Sequence, residues 1–270
     1  MHPLAFCSIS ALDRSLAAAA ATAVAAGLRH LEVTAHPPHL DPGAGLDAAR
    51  AAARAVREAS VEIVAYGSYL GRFGQTTRAH AEREAAIAAA LGTRLLRVWA
   101  EPLPDGSSDL APAVELLRCA CDAAAADGIT VVVERHLGSF ADSPQGIERL
   151  FAAIDRPNLA LNYQVLDFLA PEAAADQPAD ATRLAPLARY CHLKNYQPNP
   201  QVGGPVFPGG SIAEGVLDYR AILTALHAAR YTGPLTIEFL AADPRPVEEK
   251  LTADVRFVRS VLADLGAAGA

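Results

Sequence analysis

Short apolar runs and longer Ala-, Leu-, Arg- and Glu-rich stretches alternate along the whole chain. The short runs are β-branched or aliphatic, as buried strands are, whereas the longer stretches have helical character. The predicted strands are LAFCSI (4–9), RHLEVTA (29–35), VEIVAYG (61–67), TRLLRVWA (93–100), ITVVVE (129–134), LALNYQ (159–164), RYCHLK (189–194) and PLTIEFL (234–240). The predicted helices are 13–26, 45–59, 76–91, 109–127, 143–155, 218–230 and 247–265.

Strands that alternate with helices of this length indicate βαβ units and a parallel sheet. Eight strands with about as many helices favour a closed (β/α)8 TIM barrel over an open sheet. Helix-end signals support this division, since Asp109 and Ser143-Pro144 are typical N-terminal residues of helices. Gly27, Gly92 and Gly128 each follow a predicted helix, as C-terminal glycines do.

No linker and no shift of composition divides the sequence, so residues 1–270 are predicted to form a single barrel domain. Two Pro- and Gly-rich stretches, 165–187 and 196–216, follow predicted strands. Because loops at the carboxyl ends of barrel strands usually build the active site, these stretches are candidate substrate covers.

Composition excludes several classes of protein. A formal net charge of −7 argues against a nucleic-acid partner, because such proteins carry basic patches. The four cysteines show no C-x-x-C spacing, which favours reduced, buried thiols. The Ala-rich run 16–26 lacks a basic leader and is too short to span a bilayer, so no membrane association is expected and a cytoplasmic location is predicted.

Four polar side chains lie at or near the carboxyl ends of the last four predicted strands: Glu134, Gln164, His192 and Glu238. In a closed barrel, strand ends that are distant in sequence converge on one mouth. Two carboxylates, an amide and an imidazole are a plausible ligand set for a divalent metal, with Mn²⁺, Mg²⁺ or Co²⁺ the suitable ions. A lone glutamate at a strand end is more often a salt-bridge partner, so the prediction depends on all four residues together.

The segments VVVERHLGSFADSPQGIERLFAAIDRPNLALNYQ, HLKN and GVLDYRAILTALHAARYTGPLTIEF resemble the xylose isomerase-like TIM barrels. This superfamily includes keto-sugar epimerases, hydroxypyruvate isomerases, inosose dehydratases and 3-dehydroshikimate dehydratases. The resemblance is best over about 129–240. It implies that Glu134, His192 and Glu238 are metal ligands and that His136 lies near the substrate, with a structural hydrogen bond as the alternative for His136. Lys194 is a further candidate for substrate contact, and pairing with a neighbouring acid is its alternative.

Gln164 departs from the family pattern, in which the ligand on the sixth strand is normally Asp, seven residues after the Pro of a P-N-x-x-x-x-x-D run. Counting from Pro157 gives Gln164. A neutral amide attracts a cation less than a carboxylate does, so we expect weaker metal retention and a more electrophilic metal. Asn162 is an alternative ligand one layer deeper on the same face of the strand.

The resemblance implies an isomerase or epimerase of a small ketose or keto-polyol, in which Glu134 and Glu238 move protons next to a carbonyl. The alternatives are a dehydratase of a cyclic keto-polyol and a degenerate barrel that binds sugar without turnover. A nuclease of the related abasic-site branch is disfavoured by the acidic balance and the few histidines. Trp99 and Tyr66, at the ends of strands four and three, and Glu32 on strand two are further pocket candidates. Association into a homo-oligomer is also expected by resemblance.

Overall fold

The computed structural model describes residues 2–102, 108–166, 171–199, 204–208, 211–239 and 245–268. Within these ranges eight parallel strands close into a barrel inside a ring of eight helices, which confirms the predicted (β/α)8 fold. The barrel strands are β1 (Leu4–Cys7), β2 (His30–Thr34), β3 (Glu62–Gly67), β4 (Leu95–Val98), β5 (Thr130–Glu134), β6 (Leu159–Tyr163), β7 (Ala188–Leu193) and β10 (Leu235–Ile237). The helices are α1 (Leu16–Ala25), α2 (Leu46–Glu58), α3 (Arg78–Leu91), α4 (Ala111–Ala125), α5 (Pro144–Ile154), α6 (Gln177–Leu184), α7 (Tyr219–Ala228) and α8 (Val247–Ala268).

The ring closes between the first and the last barrel strand. Leu4 on β1 pairs with Leu235 on β10, and Ala5 pairs with His30 on β2. The order around the ring is β1-β10-β7-β6-β5-β4-β3-β2. Every carboxyl end therefore lies at the same mouth, which is the arrangement on which the predicted site depends.

Several helix ends carry the residues that the sequence predicted for them. The Ser143 hydroxyl accepts a hydrogen bond from the Gly146 amide (3.2 Å) at the start of α5, where Pro144 is the first helical residue. Gly92 ends α3 in a left-handed conformation with φ 78°, which glycine adopts without steric cost. Asp109 accepts from the Ala111 amide (2.9 Å) at the start of α4.

The structure differs from the predicted elements in three places. The stretch 165–187, for which no helix was predicted, contains α6 (Gln177–Leu184). The first strand ends at Cys7 rather than at residue 9, and a short 3-10 helix follows over Ser8–Ala11. The Ser8 hydroxyl accepts from the Thr34 amide (3.0 Å), so a side chain replaces the next backbone partner of the sheet. The stretch 196–216, predicted as an irregular loop, contains an antiparallel hairpin of β8 (Tyr196–Asn199) and β9 (Gly204–Pro208). Parts of both predicted substrate covers, 167–170, 200–203 and 209–210, lie outside the described residues.

The core has an inner and an outer part. Most buried apolar side chains fill the layer between the barrel and the helices. A smaller cluster of Ala65, Val132, Ala160 and Tyr190, from four different strands, fills the barrel interior. All four cysteines are buried and free, as predicted. The interior cluster supports the polar layer above it.

Candidate active site

Buried charged side chains from five barrel strands or their ends form a layer at the mouth of the barrel. Glu32, Arg97, Glu134, His192 and Glu238 are each at most 6% exposed. Burial of unpaired charges at this depth would cost several kcal/mol each, so their partners decide what the site can do.

Arg97 on β4 connects two of the carboxylates. Its Nε donates to Glu32 Oε1 (2.9 Å), and its terminal nitrogen Nη1 donates to Glu134 Oε2. Although burial alone would lower the pKa of Arg97, Glu134 and Glu32 raise it well above the ordinary value. Arg97 is therefore a permanent cation between β2 and β5.

Gly67 on β3 leaves the room that this ion pair needs. A Cβ atom at position 67 would lie 2.3 Å from Glu32 Oε1 and 2.4 Å from Arg97 Nη2. Real Cβ atoms do not approach other atoms this closely. Only glycine fits beside the Glu32–Arg97 pair as it is packed here.

His192 on β7 lies between two carboxylates. Its Nε2 is 2.5 Å from Glu32 Oε2, and its Nδ1 is 3.4 Å from Glu238 Oε2. Burial alone would lower the pKa of His192, but Glu32 and Glu238 outweigh it and raise the pKa to about 10. Conversely, His192 and Arg97 outweigh the burial of Glu32 and lower the pKa of that carboxyl to about 2.

Glu238, directly after β10, is paired with Lys194, directly after β7. Lys194 Nζ lies 3.0 Å from Glu238 Oε2, and both residues are at most 6% exposed. Although burial would raise the pKa of Glu238, Lys194 and His192 lower it well below the ordinary value. This carboxylate is therefore ionised and able to accept a proton.

Gln164 fixes the other oxygen of Glu134. Its Nε2 donates to Glu134 Oε1 (3.1 Å) and to the carbonyl of Arg135 (2.6 Å). Its Oε1 is buried and has no hydrogen-bond partner among the residues that the structure describes, and the same holds for Oδ1 of Asn162. Two amide oxygens thus stand unsatisfied beside the carboxylate layer, and such groups need an explanation in a native structure.

The predicted ligands form two pairs. Glu134 contacts Gln164, and His192 contacts Glu238, while Glu32 and Arg97 connect the pairs. Among the described residues, the acidic, His and Cys ligand atoms that meet in a group of three within 4.8 Å belong to Cys7, Glu32 and His192. Glu134 and Glu238 lie outside that group.

Trp99 and His136 form an aromatic edge beside the charged layer. Their rings meet edge to face with centroids 4.9 Å apart, and Trp99 Nε1 donates to the Ser68 carbonyl (3.0 Å). The Arg97 guanidinium carbon lies 5.3 Å from the centre of the Trp99 ring, so this edge adjoins the site. The Arg72 guanidinium carbon lies 4.2 Å from the same ring centre.

Tyr66 lies on the other side of its strand. A register shift after Leu31 pairs Tyr66 with Val33, whereas Glu32 pairs with Ala65. The Tyr66 hydroxyl therefore donates to Glu84 Oε2 on α3 (2.6 Å), in the layer between barrel and helices. The structure does not bring Tyr66 to the mouth, which corrects the expectation that Tyr66 lines the substrate pocket.

Sequence reasoning missed Arg97 and Tyr190, both of which contact Glu32. The signal for Arg97 was present, since an arginine within the otherwise apolar run LLRVWA (95–100) needs a buried acidic partner. No comparable signal marks Tyr190, because tyrosine is common in strands. Its hydroxyl donates to Glu32 Oε2 (2.7 Å).

Sequence comparison decides the family. The chain matches the model of the xylose isomerase-like TIM barrel over residues 20–261. The chain belongs to this family. No curated protein sequence matches it.

Solved structures with the xylose isomerase-like fold superpose on nearly the whole chain. The probable 3-DHS dehydratase AsbF from Bacillus anthracis is 21% identical, with a TM-score of 0.73 and coverage of 96% of this chain and 99% of that one. A D-allulose 3-epimerase from Methylomonas sp. is 15% identical (TM-score 0.72, coverage 96% and 98%). A xylose isomerase-like TIM barrel protein from Mycobacterium smegmatis, solved with magnesium, is 16% identical (TM-score 0.74, coverage 98% and 98%). At these identities the likeness concerns the fold.

The length and the hydropathy of the helices bear on the expected absence of membrane contact. Among the residues that the structure describes, none of the helices combines the length and the apolar character that crossing a bilayer requires.

Proposed function

We propose that this protein is an isomerase or epimerase that moves a proton at the carbon next to the carbonyl of a small ketose or keto-polyol. The observation that carries the proposal is Glu238, a buried carboxylate kept ionised beside the Lys194 ammonium at 3.0 Å. A second buried carboxylate, Glu134, is fixed by Arg97 and Gln164. A base, a cation for a developing oxyanion and a second carboxylate are the groups that such a reaction needs.

A divalent cation fits the residues at this mouth. The unpartnered Oε1 of Gln164 is a free oxygen donor beside Glu134, and the Nδ1 side of His192 faces Glu238. Glu134, Gln164, His192 and Glu238 would hold the ion, and Mn²⁺, Mg²⁺ or Co²⁺ suits this oxygen-rich set. When bound, the ion would polarise the substrate carbonyl and offset the negative charge that develops there.

The protein's own residues supply the proton chemistry. Glu238 removes the proton from the α carbon, and the electrons of the broken C–H bond form the C=C bond of an enediolate while the carbonyl oxygen takes up negative charge. Lys194 stabilises that oxygen. Glu134 takes up a proton from water before the step, and Glu238 afterwards releases its own proton to water. Donation by Glu134 to the other face of the same carbon gives an epimer. Donation to the neighbouring carbon, while the hydroxyl proton of the α carbon passes to the former carbonyl oxygen, gives an isomer. His136, at the aromatic edge with Trp99, is a substrate contact in this proposal.

Deuterium exchange tests the proposal. Purified protein supplied with Mn²⁺ is incubated with a panel of ketopentoses, ketohexoses and inososes in D₂O, and loss of the α-proton signal is followed by NMR. We expect exchange with wild type and its loss in Glu134→Gln and Glu238→Gln. Glu84→Gln, which changes a buried carboxylate on α3, is the control and should retain exchange. Exchange that survives both active-site substitutions overturns the proposal, and no exchange with any substrate favours a sugar-binding barrel without turnover.

A dehydratase of a cyclic keto-polyol is the second candidate, supported by the likeness to the probable 3-DHS dehydratase. The same enediolate gives dehydration if a β-hydroxyl leaves, with Lys194 or His136 supplying the proton to the departing oxygen. Product analysis separates the two reactions, because dehydration forms a conjugated ketone that absorbs ultraviolet light and releases water, whereas epimerisation conserves mass and absorbance.

A further inference from the structure

The carboxylate of Glu32 binds three donors from two other strands. Oε1 accepts from Arg97 Nε on β4 (2.9 Å), while Oε2 accepts from the Tyr190 hydroxyl (2.7 Å) and faces His192 Nε2 (2.5 Å) on β7. The side chain is 0% exposed. Glu32 is thus directed at other side chains and has no face open to a substrate.

These contacts fix the orientation of the His192 ring. Because Nε2 is bound to Glu32, the other ring nitrogen, Nδ1, faces Glu238 Oε2 and Asn162 Nδ2, each 3.4 Å away. A metal-binding histidine usually donates its second N–H to a carboxylate, which sets the ring orientation and raises the basicity of the ligand nitrogen. Glu32 has the position of that carboxylate.

The same carboxylate also acts on the other half of the site. Arg97 is bound by Glu32 through Nε and reaches Glu134 through Nη1. Glycine at position 67 leaves room for the contact between Glu32 and Arg97, because a Cβ atom there would lie 2.3 Å from Glu32 Oε1. One buried side chain on β2 therefore orients residues of both pairs of predicted ligands.

We infer that Glu32 is a positioning residue that presents Nδ1 of His192 to the bound cation and, through Arg97, holds Glu134 beside it. This inference rests on the proposed function. Both carboxylate oxygens of Glu32 are taken up by Arg97, Tyr190 and His192, so in this role Glu32 acts through His192 and Arg97. The role differs from the pocket position that the sequence suggested for it.

The variant Glu32→Gln distinguishes the effect of Glu32 on the orientation of the His192 ring from its effect on packing. Glutamine keeps the shape of the side chain, but it has one acceptor oxygen and an NH₂ group in place of the two carboxylate oxygens. Whichever way the amide is turned, its NH₂ faces a donor, either Arg97 or the pair Tyr190 and His192. In both orientations the His192 ring loses the charged carboxylate, and in one of them it also loses its acceptor oxygen.

Calorimetric titration with Mn²⁺ gives the first readout. We expect Glu32→Gln to bind Mn²⁺ about 10- to 100-fold more weakly than wild type, the usual effect of losing such a partner. The matched control is Glu84→Gln, another buried carboxylate bonded to a tyrosine hydroxyl but directed at α3. It should bind Mn²⁺ within about twofold of wild type. Equal affinities of Glu32→Gln and wild type overturn the inference.

A spectroscopic readout needs neither a bound ion nor turnover. In metal-free wild type labelled with ¹⁵N-histidine, the short contact to Glu32 should give a strongly downfield, slowly exchanging Nε2–H signal, assigned by its absence from His192→Asn. Addition of Mg²⁺ should shift the Nδ1 resonance of the same ring and leave the Nε2–H in place. This measurement uses folded wild type, so it decides the question even if Glu32→Gln does not fold. The inference is overturned if Nε2 carries no proton in the metal-free protein, or if the Nε2 resonance shifts when Mg²⁺ is added.

The two proposals fail in different ways. If wild type binds neither Mn²⁺ nor Mg²⁺, the metal part of the proposed function is lost, and the Nε2–H signal of the metal-free protein alone decides whether Glu32 orients His192. If the metal binds and Glu32→Gln behaves like Glu84→Gln, the site stands and the role of Glu32 is overturned.

Discussion

Gln164 sets the charge of the predicted ligand set. With a divalent ion, Glu134, His192, Glu238 and a neutral amide sum to zero, whereas an aspartate in place of the amide would give −1. Hard cations bind more tightly as the number of charged oxygen ligands rises. The buried, unpartnered Oε1 of Gln164 keeps a donor at this position without the charge.

Gln164→Asp should therefore bind Mn²⁺ about tenfold more tightly or better. The metal-free variant should be less stable than wild type, because the new carboxylate would face Glu134, now 3.1 Å from the Gln164 amide nitrogen. Calorimetric titration measures the affinity, and urea unfolding of the metal-free protein measures the stability. Asn162→Asp is the comparison: if it alone tightens binding, Asn162 is the amide ligand.

Gly67→Ala should disrupt the Glu32–Arg97 pair. The added methyl group would lie 2.3 Å from Glu32 Oε1, so side chains already fixed by hydrogen bonds have to move. Overpacking of this kind costs about 1–3 kcal/mol of the free energy of unfolding, measurable by urea denaturation. Gly266→Ala in α8, where nothing lies within 4 Å of the new Cβ, should change it by less than about 1 kcal/mol. Similar effects at both positions would contradict the packing argument.

The positions of some site residues could be predicted from the sequence, whereas the position of Tyr66 could not. Glu134, Gln164 and Glu238 lie at or directly after strand ends, so their place at the mouth follows from the barrel alone. Tyr66 was misplaced because the register shift between β2 and β3 reverses which face of the strand it occupies. Such a shift leaves no trace in the spacing of apolar residues.

At the scale of elements, Asn195 holds the segment that follows the hairpin. Its amide nitrogen donates to the carbonyls of Ile212 (2.7 Å) and Leu217 (3.1 Å), and its oxygen accepts from the amides of Tyr196 and Leu217. A Cβ atom at Gly215 would lie 2.0 Å from the Asn195 side chain. Asn195 is adjacent to Lys194, so this segment is packed directly against the candidate site.

Asn195→Ala should loosen residues 211–217, because it removes a hydrogen bond from four buried backbone groups, of which the Leu217 carbonyl alone keeps a second one, from the Tyr219 amide (3.0 Å), among the described residues. We expect local destabilisation of roughly 2–3 kcal/mol, visible as faster amide hydrogen exchange in peptides that cover 211–217. Asn158→Ala is the matched control, since Asn158 donates to the carbonyls of Cys121 and Ile129 at the amino end of β6. Its effect should stay at that end. Unchanged exchange over 211–217 in Asn195→Ala would contradict the assigned role.

The elements other than α6 were largely predictable, because each barrel strand is a short apolar run and several helices carry end signals. The hairpin of β8 and β9 was not, since a Pro- and Gly-rich stretch does not distinguish a hairpin from a loop. The local composition of this stretch does not indicate which of its residues pair in the hairpin.

At the scale of the whole molecule, the buried charges of the mouth make stability depend on pH. The pKa of Glu32 is lowered from 4.5 to about 2, so its contribution is complete above pH 4.5 and is lost as pH falls towards 2. The pKa of His192 is raised from 6.5 to about 10, so its contribution is complete below pH 6.5 and is lost as pH rises towards 10.

The metal-free protein should accordingly be most stable between about pH 4.5 and 6.5, with a decline on either side. Urea unfolding at a series of pH values measures this profile. In His192→Asn, the free energy of unfolding should fall much less above pH 6.5 than it does in wild type. Between about pH 4.5 and 6.5 it should be lower than that of wild type. A profile of His192→Asn parallel to wild type above pH 6.5 would show that another group is responsible.

The closed ring also determines when a newly made chain can acquire its chemistry. Leu4 pairs with Leu235, and the contact between Glu32 and His192 joins residues 160 positions apart. A nascent polypeptide that has emerged only as far as β6 exposes Glu32 without two of its three partners, Tyr190 and His192. Competence therefore comes only once β10 has left the ribosome, and C-terminal truncation before Glu238 should abolish the site altogether.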